Sequence, residues 1–249
     1  MIGSEELSPL FRRGGGPGEE KMDALDAKVV VLHADNHVLA LRKPVGMPTQ
    51  PDDSGASSLL DWARAWIRRE KGKFDGSVFC GLVHRIDRNV SGVVVFARTS
   101  KSASRLSPQW ARRTVEKVYL ARVSPPPAEE RGELRHHLVK NERTRRVTVH
   151  SRPGPGTREA VTRYRVLGSK AGEALLEVHP ETGRPHQIRA QLAALGSPIL
   201  GDRKYGSPEG GERIALHAWK LSFDHPTLRE RMTLEASPPA GWGPLLPRS

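Results

Sequence analysis

The chain has 249 residues and carries 40 Lys and Arg against 28 Asp and Glu, a net charge of +12, with a pI near 10.3. That length sets a prior of one or two domains with room for a substantial core, and the charge points to a polyanionic partner. A single cysteine, Cys80, excludes an internal disulfide framework; no apolar run reaches membrane-spanning length and the N-terminus lacks a secretory apolar core, so the expected place is the cytoplasm, off the membrane.

Residues 1–27 read as a flexible N-terminal extension, because "RRGGGPGEEK" has glycine, proline and mixed charge and little to bury. Residues 28–236 read as one domain, and 237–249 as a C-terminal tail whose Trp242 and leucines supply docking groups. Within the domain, "KVVVLHADNHVLALRKP" predicts two short strands around the turn "ADN". "SLLDWARAWIRREKGK" predicts a helix with capping-box spacing between Ser58 and Asp61 and an apolar stripe of Leu59, Ala63, Trp66 and Ile67. Cys80 is expected to be a small core residue.

"SGVVVFAR" reads as a buried strand. "SKSASRL" starts another helix, which "SPQWARR" restarts with Ser107 as cap and Pro108 in the first helical position. "EKVYLARV", "RRVTVH", "EAVTRYRVL" and "EALLEVHP" are further strands. "RPHQIRAQLAALG" is a helix with Pro185 in its first turn, Ile188, Leu192 and Leu195 on one face and Gly196 at its end. Strands dominate and helices interrupt them irregularly, which favours an α+β fold over a regular βαβ alternation.

Four stretches can carry chemistry. In "GLVHRIDRNVSG", an extended "LVHRID" would put Val83, Arg85 and Asp87 on one face and Leu82, His84 and Ile86 on the other, with turn residues following. Asp87 is then either half of a structural ion pair or a carboxylate kept ionised to react. In "EKVYLARV", Tyr119 is a core residue or a stacking platform for a nucleobase. In "PETGRPHQIRAQLAALGSPILGDRKYG", Arg184 precedes a helix start suited to phosphate or carboxylate, and Arg189 adjoins core-facing Ile188, so a semi-buried partner is expected for it. "HHLVKNERTRRVTVHSRPGPGTRE" reads as a basic hairpin with Arg143, Arg145 and Arg146, either solvated or aimed at phosphates. The histidines, including His33 and His37, form no credible zinc or iron site, and there is neither a P-loop nor a Rossmann fingerprint.

Together these pieces resemble the RluA-type RNA pseudouridine synthases. "HRIDRNVSG" is similar to the family's H-R-L-D-x-x-T-S-G segment and "EKVYLA" to its K-x-Y-x-A segment. "TGRPHQIR" and "LGSPILGDRKYG" are similar to T-G-R-x-H-Q-[IL]-R and G-x-P-[IL]-x-G-D, and "VLALRKPVGMPTQP" to N-K-P-x-G. The pieces occur in the family's order over about residues 28–236. Ile86, Val90 and Arg42 depart from the usual leucine, threonine and asparagine. No S4-type module is read ahead of the domain, so target recognition is expected from the catalytic domain and its basic surface.

The resemblance implies a pseudouridine-synthase-like catalytic domain with a mixed, mainly antiparallel central sheet flanked by helices, which isomerises uridine in structured ribosomal or transfer RNA. It implies Asp87 as the catalytic carboxylate, Tyr119 stacked on the target base and helping proton removal from C5, and Arg189 paired with Asp87. It also implies Arg85 reaching into the RNA as the uridine leaves the stack. Arg184 and His186, at the start of the "RPHQIRAQLAALG" helix, are expected to bind substrate as well. Nothing is oxidised and no group is gained, so no cofactor is expected; neither a metal nor an obligatory protein partner is expected, and a monomer is. Extruding the base costs about a few kcal/mol, and stacking on Tyr119 returns on the order of 1–3 kcal/mol. A base-releasing hydrolase and a non-catalytic RNA-binding protein are the rival functions; free uracil would mark the first, and indifference to Asp87→Asn the second.

Overall fold

The computed structural model describes residues 28–72, 77–207 and 213–242; the extension expected over 1–27 lies outside them. Among the described residues eleven strands form one sheet, flanked by three helices. In chain order these are β1 (Val30–Ala34), β2 (Val38–Lys43), α1 (Leu59–Glu70), β3 (Gly81–Leu82), β4 (Ser91–Ala97), α2 (Ser100–Ala111), β5 (Glu116–Val123), β6 (Arg131–Lys140), β7 (Val147–His150), β8 (Arg158–Lys170), β9 (Glu173–Pro180), α3 (Gln187–Ala194), a single 3-10 turn (Arg203–Tyr205), β10 (Leu216–Asp224) and β11 (Arg231–Glu235). The order across the sheet is β1-β2-β4-β10-β5-β9-β8-β6-β7, with β3 beside β4 and β11 beside β10. Every pairing is antiparallel except that of β4 with β10. The fold is α+β with a mixed, mainly antiparallel sheet, as the sequence predicts.

The two faces of the sheet bury separate cores. On β4, Val94 and Phe96 join a core with Leu39 and Leu41 of β2, Leu59, Ala63 and Ile67 of α1, and Ile188 and Leu192 of α3. Val93, Val95 and Ala97 point the other way, against Leu106 of α2 and Phe223 and Leu234 of the β10–β11 hairpin. This double burial is why β4 reads as a continuous apolar run. Its parallel seam with β10 is tight. Gly92 has φ +123, and a β-carbon there would lie 2.1 Å from the Ala218 carbonyl oxygen, so only glycine lets the two backbones meet.

The Ser58 capping box on α1 forms with Asp61 in the third position, its carboxylate reaching back to the Ser58 N–H while the Ser58 hydroxyl accepts from the Asp61 N–H. Three details differ from the sequence reading. First, α2 is one helix capped by Thr99, with Pro108 inside it rather than starting a second helix. Ser104, whose carbonyl the proline leaves without a helical donor, is exposed, so water can serve it. Second, α3 begins at Gln187, after Pro185 and a left-handed His186. It ends in a Schellman motif, with Gly196 N–H donating to Ala193 and Ser197 N–H to Leu192. Third, "LVHRID" is strand only at Leu82, the last residue of β3. From Val83 the chain leaves the sheet, because β10 takes the same edge of β4 at Ser91 and Gly92. Trp242 is buried against Leu120 and Leu175. Among the described residues no helix is long and apolar enough to cross a membrane.

Candidate active site

Where residues 83–90 leave the sheet they border a cleft of about 300 Å³ lined by His84, Arg85, Asp87, Trp110, Lys117, Tyr119, Thr182, Arg184, His186 and Arg189, among others. The edge of β4 between its contacts with β3 and β10 is covered by a side chain, His84, whose Nε2 accepts the Val95 N–H at 3.0 Å. Burial, then the charge of Lys117, lowers the His84 pKa to about 3, which keeps the ring neutral and able to accept. The ring stacks on Trp110 with centroids 4.9 Å apart and so walls one side of the cleft.

The loop bearing Asp87 is tied down from behind by residues 43–49. Lys43 is fully buried, and its Nζ donates to the carbonyls of Pro44 (3.0 Å), Met47 (2.7 Å) and Arg88 (3.0 Å). Burial lowers its pKa to about 7, against the opposing pull of Asp87. Thr49 Oγ1 donates to the Ile86 carbonyl at 2.8 Å, and the Arg88 Nε donates to the Gly46 carbonyl at 2.9 Å. The Val90 N–H closes a turn on the Asp87 carbonyl at 3.0 Å. The backbone around Asp87 is therefore fixed while its carboxylate, 33% exposed, faces the cleft.

Arg189, from the first turns of α3, bridges two carboxylates. Its Nε and Nη2 hold Asp202 in a bidentate pair at 2.7 and 2.9 Å, and its Nη1 donates to Asp87 Oδ2 at 3.0 Å. Asp202 is 1% exposed. Burial works against the Arg189 charge, but the hydrogen bonds and charge of Asp202, with those of Asp87, outweigh it and raise its pKa above the ordinary value. The guanidinium also lies over the Tyr205 ring, 5.1 Å from its centroid. Among the described residues Arg189 is the one hydrogen-bond partner of the Asp87 carboxylate.

Tyr119 lies in β5 opposite Val178 and Ala218 and lines the cleft. Burial and then the Asp87 charge raise its pKa above the ordinary value, so it rests as a neutral phenol. Lys117, two residues earlier on the same face, has its pKa lowered to about 8 by burial and by Arg113, and its Nζ donates to the Thr182 carbonyl at 3.3 Å. Arg184 donates from Nε to the Glu159 carbonyl at 2.9 Å and feels the charges of Arg113 and Arg158. Arg85 is exposed on the cleft lining. His186 Nε2 lies 3.9 Å from Asp87 Oδ2.

All six residues singled out from the sequence thus line one cleft. Sequence reasoning assigned no role to Lys43, Asp202 or Tyr205, although each lies in a quoted motif. The one signal for Asp202 is the unmet need of Arg189, beside core-facing Ile188, for a buried anion. Arg143, Arg145 and Arg146 sit exposed in the β6–β7 turn, where Arg145 pairs with Asp53 at 3.1 Å. Arg146 reaches over Tyr205, 5.6 Å from the ring centroid. Among the described residues no group of three or more His, Cys, Asp or Glu could hold a metal ion.

Residues 37–194 match the family described as RNA pseudouridylate synthase. The chain is 34% identical over 218 residues to a Bacillus subtilis protein named "Uncharacterized RNA pseudouridine synthase YhcT", covering 84% of this chain and 68% of that one. It is also 34% identical over 214 residues to the "Dual-specificity RNA pseudouridine synthase RluA" of Escherichia coli K12, covering 84% of this chain and 92% of that one. Among solved structures, "Human RNA Pseudouridylate Synthase Domain Containing 4" superposes with a TM-score of 0.74 at 26% identity, covering 90% of this chain and 93% of that one.

Proposed function

The chain belongs to the RluA-type RNA pseudouridine synthases, enzymes that isomerise uridine to pseudouridine in RNA, and from that premise we propose that Asp87 is the carboxylate that performs the reaction here. The supporting observation is its coordination: one oxygen takes a single hydrogen bond from Arg189 at 3.0 Å, on a rigid loop, at the wall of a cleft that holds Tyr119. In the isomerisation the N1–C1′ bond breaks, the base turns, a C5–C1′ bond forms, and the C5 proton is exchanged for one on N1. A charged oxygen is needed to meet C1′ or C6 or to take a sugar proton, and a guanidinium stabilises that charge where water is scarce.

Tyr119 stacks on the extruded base. Its resting phenol is neutral, so any help it gives at C5 is by relay of a proton rather than as a standing phenolate. Arg85, exposed beside Asp87, fills the gap left by the base. Arg184 and His186 bind the nucleotide, and the neighbouring Arg113 and Arg158 hold phosphates. The catalytic unit is residues 28–236, acting as a monomer in the cytoplasm on structured ribosomal or transfer RNA.

Mapping pseudouridines in total RNA from cells with and without the gene tests this reading. At least one uridine is expected to lose its modification and to regain it on complementation with the wild type but not with Asp87→Asn. Restoration by Asp87→Asn would remove Asp87 from the chemistry.

A further inference from the structure

Next to Asp87 is a polar pair, His186 and Tyr205, whose proton arrangement the proposed chemistry leaves open. His186 closes the turn ahead of α3 with φ +50, a left-handed conformation that costs a residue with a β-carbon and persists only where its surroundings hold it. Its Nδ1 lies 2.8 Å from the hydroxyl of Tyr205, with the rings edge to face at 5.7 Å. Tyr205 is buried on the 3-10 turn that follows Asp202, and its hydroxyl oxygen accepts the Val147 N–H at 2.9 Å.

These contacts fix where the protons are. A phenol has one hydrogen to give. With the Val147 N–H on a lone pair, His186 Nδ1 is the one acceptor among the described residues within reach of the Tyr205 O–H. Burial raises the Tyr205 pKa against the opposing effects of Val147 and Arg189, so the hydrogen is present. Burial lowers the His186 pKa; Arg189 and Lys204 add to this, while Asp87 and Asp202 oppose it. A neutral ring that accepts at Nδ1 must carry its proton on Nε2, the nitrogen 3.9 Å from Asp87 Oδ2.

We propose that Tyr205 is a positioning residue for the reaction: it sets His186 in the Nε2–H tautomer, so that an uncharged donor faces the Asp87 carboxylate and the nucleoside bound against it. This rests on Asp87 as the reacting group. At 3.9 Å the contact is longer than a hydrogen bond and shortens when substrate fills the cleft, as catalytic contacts in empty sites commonly do. A neutral donor orients the carboxylate without adding a second full positive charge, which would hold its electron pair back from carbon.

The test pairs nitrogen NMR of the imidazoles with kinetics on the full chain. In the wild type, His186 is expected to show a bare Nδ1 and a protonated Nε2 at neutral pH. Tyr205→Phe should mix the tautomers and lower kcat about tenfold with KM for RNA little changed. His186→Gln keeps an N–H donor near the ε position without depending on the phenol, so adding Tyr205→Phe to it should cost less than about twofold. An equal loss in both backgrounds, or a wild-type Nδ1 that carries the proton, overturns the proposal; the second result needs no variant to fold. Asp87→Asn in the same assay keeps the two readings apart, since turnover there would refute the catalytic role of Asp87 while the NMR still reports on Tyr205.

Discussion

Two carboxylates in this molecule sit in loops beside the sheet, and their surroundings could hardly differ more. Asp35, in the β1–β2 turn, accepts the N–H groups of His37 and Val38 at 2.6 and 2.8 Å on one oxygen, and faces His33 Nε2 and His225 Nε2 at 2.8 and 3.0 Å on the other. Partial burial alone would raise its pKa, but these four hydrogen bonds outweigh it and hold the carboxyl well below the usual range. Asp87 has one such partner. A carboxylate whose lone pairs are all engaged has nothing left for a substrate; one held by a single guanidinium at the wall of a cleft does. By that measure Asp35 holds a turn together and Asp87 is free to react, although both are acids flanked by basic groups in the sequence.

The contrast can be broken by exchanging what each acid does. The largest effect is expected from Asp87→Asn, which should lower turnover by at least about 10⁴-fold while melting within a degree or two of the wild type and still binding RNA. A comparable loss of stability would make Asp87 a structural acid after all. Arg189→Ala should lose activity and also about 3–5 kcal/mol of stability, because Asp202 is left buried and unpaired. Adding Asp202→Ala should recover part of that stability and none of the activity, read by denaturant titration alongside a turnover assay.

Asp35→Ala should show the opposite pattern, costing about 1–3 kcal/mol of stability with turnover per folded molecule unchanged. The smallest effect is in pH. A carboxyl whose pKa is depressed by folding stabilises fully above its unfolded value, about 3.9, and loses that contribution as pH falls toward the folded value. The gap in melting temperature between wild type and Asp35→Asn should therefore be widest near pH 6 and close towards pH 2. A gap that widened in acid would show that the histidine contacts do not favour the ionised form.

Local signals in the sequence were legible where they were complete in themselves. The "ADN" turn, the Ser58–Asp61 box and the uninterrupted "VVVFA" each carry their own geometry, and the motif order placed six residues on one cleft. What could not be read depends on partners far along the chain. Strand β10, "LHAWKLSFD", mixes His217, Trp219 and Lys220 into its pattern, and its role at the middle of the sheet comes only from neighbours in β4 and β5. Lys43 beside a proline looks like a surface lysine until the Arg88 carbonyl, 45 residues away, arrives to receive it. Pro108 reads as a helix start because nothing local reveals that Ser104 is exposed. Tyr205 and Asp202 were visible as letters of a motif, but their task is set by Arg189 and His186, which meet them only after α3 and the 3-10 turn have folded.

The seam between β4 and β10 has a bearing on when the enzyme becomes competent. Every group assigned to the chemistry, through Tyr205, precedes Leu216 in the chain. Yet the strand that leads away from Asp87, and the one that carries Tyr119, both lack a neighbour until β10 is in place between them. A nascent chain or a fragment ending at residue 215 would thus possess the whole reactive inventory and be unable to use it, because the strand that joins the two sides of the site follows all of those groups in the chain.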